Sequence, residues 1–190
     1  MRIAIFGGTF DPVHNAHLHI AREAMAQAGL DQVLFIPAAH PPHKADSMCA
    51  PYEHRYRMVE LACQGEARFV PSRIEAGSER SYSILTIERL KARQPGDEFL
   101  FLIGADAFAE IGTWRRWREV IAAVSFIVVT RPGHRYETPE GACVTSLETV
   151  ALPVSSSGIR EDLSAGRAPS ELPAEVFDYI RAHRLYGFPG

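Results

Sequence analysis

The chain has 190 residues, of which 46% are hydrophobic and 23% charged, and its formal net charge is −3. This length suits one domain spanning residues 1–190, and the lack of a basic excess argues against broad nucleic-acid binding. The N-terminal apolar run is too short for a signal peptide or a membrane span, and three scattered cysteines suggest neither disulfides nor a zinc ribbon, so we expect a cytoplasmic protein without a membrane partner.

Apolar runs rich in β-forming residues alternate with segments of helical period along the chain, the pattern of an α/β protein. The predicted strands are Arg2–Phe6, Gln32–Pro37, Phe69–Val70, Glu98–Ile103, Phe126–Thr130 and Val150–Leu152. The predicted helices are Asn15–Ala28, Tyr52–Cys63, Ser83–Arg93, Arg115–Ala123, Gly158–Ala165 and Ala174–His183, with Gly29 as the stop of the first. We expect an open parallel sheet with helices on both faces and a short C-terminal helical portion.

The segment from Gly7 to His17, GGTFDPVHNAH, follows the first predicted strand and leads into the first helix. Ligands of open parallel sheets gather beyond the carboxyl ends of the strands, and the N–H groups of a helix N-terminus attract phosphate. The glycine pair leaves room for a phosphate to approach the backbone. His14 and His17, three residues apart, can project from one face of the helix. The segment therefore predicts a phosphate site with two imidazole donors.

Other interpretations of this segment are weaker. The chain has neither Gly-x-Gly-x-x-Gly nor Gly-Lys-Ser/Thr, which argues against a dinucleotide-dependent oxidoreductase and against a P-loop protein. The glycine pair taken alone is typical of a tight turn. His-x-x-His could bind zinc, but no cysteine or carboxylate at motif spacing completes a ligand set, so no metal site is predicted in the protein itself.

Further motifs are Pro41-Pro42-His43-Lys44, Ser81-Tyr82-Ser83, Gly104-Ala105-Asp106, Thr113-Trp114, Thr130-Arg131-Pro132-Gly133 and Val154 to Arg160, VSSSGIR. With the first segment, they cover nearly the whole chain, which resembles the bacterial nicotinate-nucleotide adenylyltransferases of the His-x-Gly-His nucleotidyltransferase superfamily. The resemblance implies a Rossmann-like fold. Two departures are Ala16, where the family usually has glycine, and Ser157, where threonine is commoner.

The resemblance implies which residues handle ATP. His14, His17, Lys44 and Arg160 would be catalytic, and the implied ATP contacts are Gly7, Gly8, Thr9, Phe10, Gly104, Asp106, Ser155, Ser156, Ser157 and Ile159. The residues themselves allow simpler interpretations. The serines can cap the helix that follows them, and Asp106 can cap a helix instead of accepting hydrogen bonds from ribose hydroxyls.

The resemblance also implies an acceptor site for nicotinate mononucleotide. Its residues would be His43, Tyr82, Ser83, Trp114 and Arg131, with the indole stacking on the pyridine ring and the guanidinium binding phosphate. A single lysine or histidine on a loop is more often only solvated, so the roles of Lys44 and His43 are predicted only from the family resemblance.

The implied reaction transfers the adenylyl group of ATP to nicotinate mononucleotide in NAD biosynthesis, with Mg²⁺ accompanying ATP; the product dinucleotide is nicotinate adenine dinucleotide and pyrophosphate leaves. Phosphopantetheine adenylyltransferases and cytidylyltransferases share the histidine signature, although the Pro-Pro-His-Lys loop and the tryptophan segment argue against them. A nucleotide sensor without chemistry is a further alternative. The sequence leaves the oligomeric state open.

Overall fold

The computed structural model describes residues 1–40, 50–78, 80–131, 133, 135–149 and 154–189. The strands are β1 (Arg2–Gly8), β2 (Gln32–Pro37), β3 (Phe69–Pro71), β4 (Glu98–Gly104), β5 (Ser125–Thr130) and β6 (Val144–Glu148). The α-helices are α1 (Asn15–Ala28), α2 (Tyr52–Ala62), α3 (Ser83–Arg93), α4 (Ala105–Ala109), α5 (Trp117–Ala123), α6 (Ser156–Ser164) and α7 (Ala174–Ala182). Short 3₁₀ turns occupy Ile111–Thr113 and Leu185–Gly187. In the described ranges, no helix is both long and apolar enough to cross a membrane.

The six strands form one parallel sheet in the order β3-β2-β1-β4-β5-β6. This is the strand order of a doubly wound Rossmann-like fold, so the predicted fold class is confirmed. The order reverses between β1 and β4, where the chain leaves the two neighbouring strands toward opposite faces. A crevice therefore opens beyond the carboxyl ends of β1 and β4.

Both faces of the sheet are buried, as expected for parallel strands. In β1, Ile3 and Ile5 belong to one core and Ala4 and Phe6 to the other, because successive side chains point to opposite faces. Apolar residues of α3, α4 and α5 cover the first face, and those of α1, α2, α6 and α7 cover the second. The helices thus lie on both faces, and the C-terminal helix is part of one layer.

The predicted and observed elements differ most at three places. The strand predicted at Val150–Leu152 lies outside the described residues, and the sixth strand is Val144–Glu148. Only Leu147 is buried in this edge strand, which therefore gives little hydrophobic signal. Helix α5 begins at Trp117 instead of Arg115, because Arg116 adopts φ 55°, a left-handed conformation that interrupts a helix. Helix α4 was not predicted, since five residues are too few to show a helical period.

Candidate active site

The turn after β1 is shaped by Phe10. Phe10 has φ 49° and is buried, with its ring packed against Phe6 and Phe35. A Cβ atom at Gly8 would come within 3.1 Å of the Phe10 ring. The absence of a side chain at Gly8 therefore lets the Phe10 ring pack closely against the backbone, while a contact of Gly8 with phosphate stays a prediction. Phe10, predicted to contact ATP, places its side chain in the core.

His14 and His17 lie side by side at the start of α1. Their ring centroids are 3.8 Å apart with 32° between the ring planes, and both line the same cavity. The backbone N–H of His14 donates to Nδ1 of His17 at 3.2 Å, and the Phe10 ring lies edge-on to His17 at 5.1 Å. These contacts fix the orientation of the second imidazole. The sequence prediction that both rings face one site is confirmed geometrically.

His14 is the more buried imidazole, with 5% of its surface exposed. Burial lowers the pKa of His14 to about 4, since an apolar environment disfavours the charged ring, and its Nδ1 atom has no hydrogen-bond partner among the described residues. Without a ligand His14 is therefore neutral at pH 7. A polyanion beside the ring would favour the protonated form and so work against the effect of burial.

The N-terminus of α1 is partly occupied by the protein itself. The backbone N–H of Asn15 donates to the carbonyl oxygen of Glu171 at 2.8 Å, and the Asn15 side chain reaches the carbonyl of Ser170 at 3.4 Å. The segment before α7 thus packs against the first helix. A phosphate would meet the imidazoles and only part of the row of N–H groups that the sequence suggested.

A cavity of about 650 Å³ lies in front of the two imidazoles, at the carboxyl ends of β4 and β5. Five residues predicted to bind ATP line it: Gly104, Asp106, Ser155, Ser156 and Ser157. Arg131, which was predicted to contact the acceptor, lines the same cavity. Ala16 also lines this cavity, so its extra methyl group faces the site. The strand ends after β4 and β5 therefore supply one side of the site and the start of α6 another.

His19 and Thr149 border the same cavity but were not predicted. The Nε2 atom of His19 lies 3.4 Å from Oγ1 of Thr149, and Thr149 directly follows β6. His19 carries no motif, and a histidine within a helix usually has no functional role. Thr149 escaped notice because the last strand was placed after it.

The start of α6 is built by three serines. Ser155 is the N-cap, with its Oγ accepting from the N–H of Gly158 at 3.1 Å, which confirms the predicted capping role. Ser156 Oγ donates to the carbonyl oxygen of Pro12 at 3.1 Å and so ties α6 to the first turn. Ile159 is buried in the core, so its side chain does not line the cavity.

Arg160 lies behind the cavity wall. One guanidinium nitrogen donates to the backbone carbonyl of Asp11 at 2.8 Å and lies 3.8 Å from the Asp11 carboxylate, while the other is 3.5 Å from Ser157 Oγ. The structure therefore fixes this cation against the first turn. Ser157 lines the cavity and lies beside the guanidinium, so a phosphate in the cavity would approach Arg160 next to Ser157.

Asp11 connects three separate parts of the chain. It is 2% exposed, and one carboxylate oxygen accepts from the N–H of Ala50 at 3.0 Å and from the Tyr186 hydroxyl at 2.7 Å. The sequence gives no signal for these contacts of Asp11. The structure shows that the 3₁₀ turn near the C-terminus reaches the turn that carries the histidines.

Arg55 of α2 is a second buried connection, 3% exposed. Its guanidinium donates to three backbone carbonyls, those of Thr9 at 2.7 Å, Ala50 at 2.9 Å and Ala39 at 3.4 Å. This one side chain thus joins the turn after β1 to the loop after β2. The sequence offered no signal for it, because an arginine on a helix is usually solvated.

A second, smaller cavity of about 160 Å³ lies across the first turn from the larger one. The residues lining it come from β1, β2 and β4, from the segment before α3 and from α3, and from α4 and the Trp114 segment: Ile5, Gly7, Gly8, Ile36, Ala38, Glu75, Ser81, Ser83, Thr86, Phe101, Ile103, Ala107 and Trp114. Gly7 and Gly8, predicted to bind ATP, face this cavity and not the larger one. Ser83 and Trp114, predicted to bind the acceptor, line it as well.

Trp114 lies between the 3₁₀ turn and α5. It is partly buried, with its ring edge-on to Phe101 at 5.8 Å. Tyr82, also predicted for the acceptor, does not line the cavity; the Arg115 guanidinium lies 4.8 Å from its ring, and hydrogen bonds with Arg80 and Arg115 lower the pKa of Tyr82.

His43 and Lys44 lie outside the described residues, but the chain on either side of them is fixed. The N–H of His40 donates to Oγ of Ser81 at 3.2 Å, and the N–H of Ser81 donates to the carbonyl of His40 at 3.2 Å. Ala50, on the other side, is held by Asp11 and Arg55. The two ends of residues 41–49 are therefore attached to the predicted acceptor segment and to the first turn.

Comparison with known proteins places this geometry in a family. The cytidylyltransferase-like family model matches residues 5–162. Two relatives named "Probable nicotinate-nucleotide adenylyltransferase" come from Solibacter usitatus, 58% identical over 98% of this chain and 100% of the relative, and from Exiguobacterium sibiricum, 42% identical over 98% and 99%. The solved structure of nicotinic acid mononucleotide adenylyltransferase from Plasmodium falciparum, complexed with NaAD, has a TM-score of 0.82 at 19% identity and covers 99% of this chain and 98% of its own, which is a likeness of fold. The chain therefore belongs to the cytidylyltransferase-like family and, within it, to the nicotinate-nucleotide adenylyltransferases.

Proposed function

We propose that this protein transfers the adenylyl group of ATP to the phosphate of nicotinate mononucleotide, giving nicotinate adenine dinucleotide and pyrophosphate in the cytoplasmic synthesis of NAD. The observation that carries the proposal is the pair of cavities on either side of the first turn, with His14 and His17 at the wall of the larger one. ATP would occupy the cavity of about 650 Å³, and the pyridine ring of the acceptor would occupy the smaller one. The full name of the relatives supports the same reaction.

The reaction needs little proton transfer from the protein. The second pKa of a phosphate monoester is about 6, so the acceptor phosphate is already mostly ionised at neutral pH and no general base is required. The barrier comes from bringing two polyanions together and from the charge that develops on the leaving pyrophosphate. Catalysis therefore consists of alignment and charge stabilisation.

His14 and His17 supply adjacent donors at one point of the cavity, and the start of α6 supplies hydroxyl and N–H groups from Ser155 to Ser157. Lys44 and Arg160 would add positive charge, the second from its fixed position beside Asp11. Arg131 borders the same cavity, where the phosphate groups of the two substrates would meet. These groups would hold the acceptor oxygen and the α-phosphorus in line.

The residues present fit a magnesium ion that is carried by ATP. In the described part of the chain, no group of three histidine, cysteine or acidic side chains could form a complete ligand set, while Asp106 would offer carboxylate oxygens at the cavity wall. Magnesium commonly binds through substrate phosphates and one or two carboxylates. When bound it would offset part of the triphosphate charge.

An acceptor screen tests the proposal. The protein, ATP and magnesium are incubated separately with nicotinate mononucleotide, nicotinamide mononucleotide and phosphopantetheine. A further reaction contains CTP in place of ATP and a phosphorylated alcohol as the acceptor. Pyrophosphate and dinucleotide are measured in each reaction. We expect nicotinate adenine dinucleotide as the main product and a preference for the acid over the amide. Product formed only with phosphopantetheine or only with CTP would contradict the proposed reaction. Equal use of nicotinate mononucleotide and nicotinamide mononucleotide would contradict the assignment of the carboxylate contacts to the Tyr82–Ser83 segment.

A further inference from the structure

The smaller cavity has a buried carboxylate that no step above uses. Glu75 is 7% exposed and lines this cavity. Its Oε1 accepts a hydrogen bond from Oγ1 of Thr86 at 2.6 Å, whereas Oε2 is buried without a hydrogen-bond partner. Among the described residues, no lysine or arginine forms an ion pair with it. Half of this carboxylate is therefore unsatisfied at the edge of an empty space.

A carboxylate in this position is costly, because burying charge without a partner is unfavourable in a protein interior. The cost is recovered if a ligand brings a positive charge into the cavity. Aromatic rings line the same cavity, with Trp114 edge-on to Phe101, and ring faces attract cations. A small cavity that is lined by both a buried carboxylate and an indole is suited to a flat aromatic cation.

We propose that Glu75 is a specificity-determining residue whose charge is complementary to the positively charged pyridinium ring of the acceptor. This inference rests on the proposed function, which places a pyridine nucleotide in the cavity. The acceptor also carries a carboxylate, which Glu75 repels. The ring is therefore oriented with its nitrogen nearer to Glu75 than its carboxylate is.

The substitution Glu75→Gln keeps the shape of the side chain and its bond to Thr86 but removes the charge. We expect kcat/KM for nicotinate mononucleotide to fall by about 10- to 100-fold, the scale of one desolvated charge pair, mostly through KM of the acceptor. KM for ATP should change less than about twofold. Glu53→Gln, an exposed glutamate on α2, is the matched control and should behave as wild type. An equal rise of both KM values in Glu75→Gln would overturn the proposal.

A second arm isolates ring charge from shape. Binding of nicotinate mononucleotide and of its reduced, uncharged dihydropyridine form is measured without ATP, by quenching of tryptophan fluorescence. Wild type should prefer the charged ring, and Glu75→Gln should lose most of that preference. If both forms weaken equally in the variant, Glu75 acts through packing and the inference is wrong. A wild type that binds the charged ring but makes no dinucleotide would refute the proposed reaction and leave the inference standing.

Stability provides a readout that a purely structural residue would not give. Removing a half-paired buried charge should raise the free energy of unfolding of the unliganded protein, whereas loss of a structural ion pair should lower it. Urea denaturation of wild type and Glu75→Gln, at pH 7.5 and without nucleotide, measures this sign. A clear loss of stability in the variant would count against a role for Glu75 in ligand recognition.

Discussion

Lowering the pH from 7.5 to 5.0 should remove a contribution of His14 to folding stability. The pKa of a histidine in an unfolded chain is about 6.5, and burial lowers that of His14 to about 4 in the folded protein. Because the folded-state pKa is depressed, the unfolded chain binds a proton more readily between these values. Stability is therefore fully present above pH 6.5 and falls as the pH drops toward 4.

The two pKa values correspond to a decrease of about 2 kcal/mol in the free energy of unfolding at pH 5.0 relative to pH 7.5. The assay is urea denaturation of wild type and His14→Asn at both pH values. Other titrating groups act equally on both proteins, so the difference between them isolates the imidazole. The variant should lose about 2 kcal/mol less than wild type. His40→Asn, which removes an exposed imidazole, is the control. Equal losses in wild type and His14→Asn would refute the reasoning.

Three further substitutions test other parts of the structure. His17→Ala should lower kcat by about 100- to 1,000-fold, as expected for one transition-state donor, and a change below about threefold in steady-state kinetics with ATP would contradict that role. Arg55→Met should lower the free energy of unfolding by at least about 3 kcal/mol in urea denaturation, because two buried carbonyls and one part-buried carbonyl lose their charged donor. Arg57→Met, on the exposed side of the same helix, should change it by less than about 0.5 kcal/mol. Ser155→Ala should cost about 1 kcal/mol through loss of the α6 N-cap, measured by thermal unfolding, and no change would show that the helix start is held by Ser156 alone.

The sequence predicted much of the fold because its signals were local. Helix α1 and strand β2 have the predicted bounds, and Gly29 ends α1 in the left-handed conformation, as expected of a glycine stop. The pair His14 and His17 also followed from helical spacing. Edge strand β6 was missed because an edge strand with one buried residue has almost no hydrophobic pattern.

The contacts around the candidate active site could not be predicted from local sequence signals. Asp11 accepts hydrogen bonds from residues 39 and 175 positions away in the sequence, and Arg55 donates to backbone carbonyls, which any residue type can supply. Neither kind of contact leaves a pattern in the sequence. His19 and Glu75 carry no motif, and only the tertiary structure shows that they line the two cavities.

The sequence alone determined the alternation of strands and helices, the two imidazoles at the start of α1 and the serine cap of α6, because each depends on neighbours within a few residues. Tertiary structure decided which glycine faces which cavity, the neutral state of His14 and the unpaired charge of Glu75. Those properties depend on burial, and burial is set by distant segments that the sheet brings together.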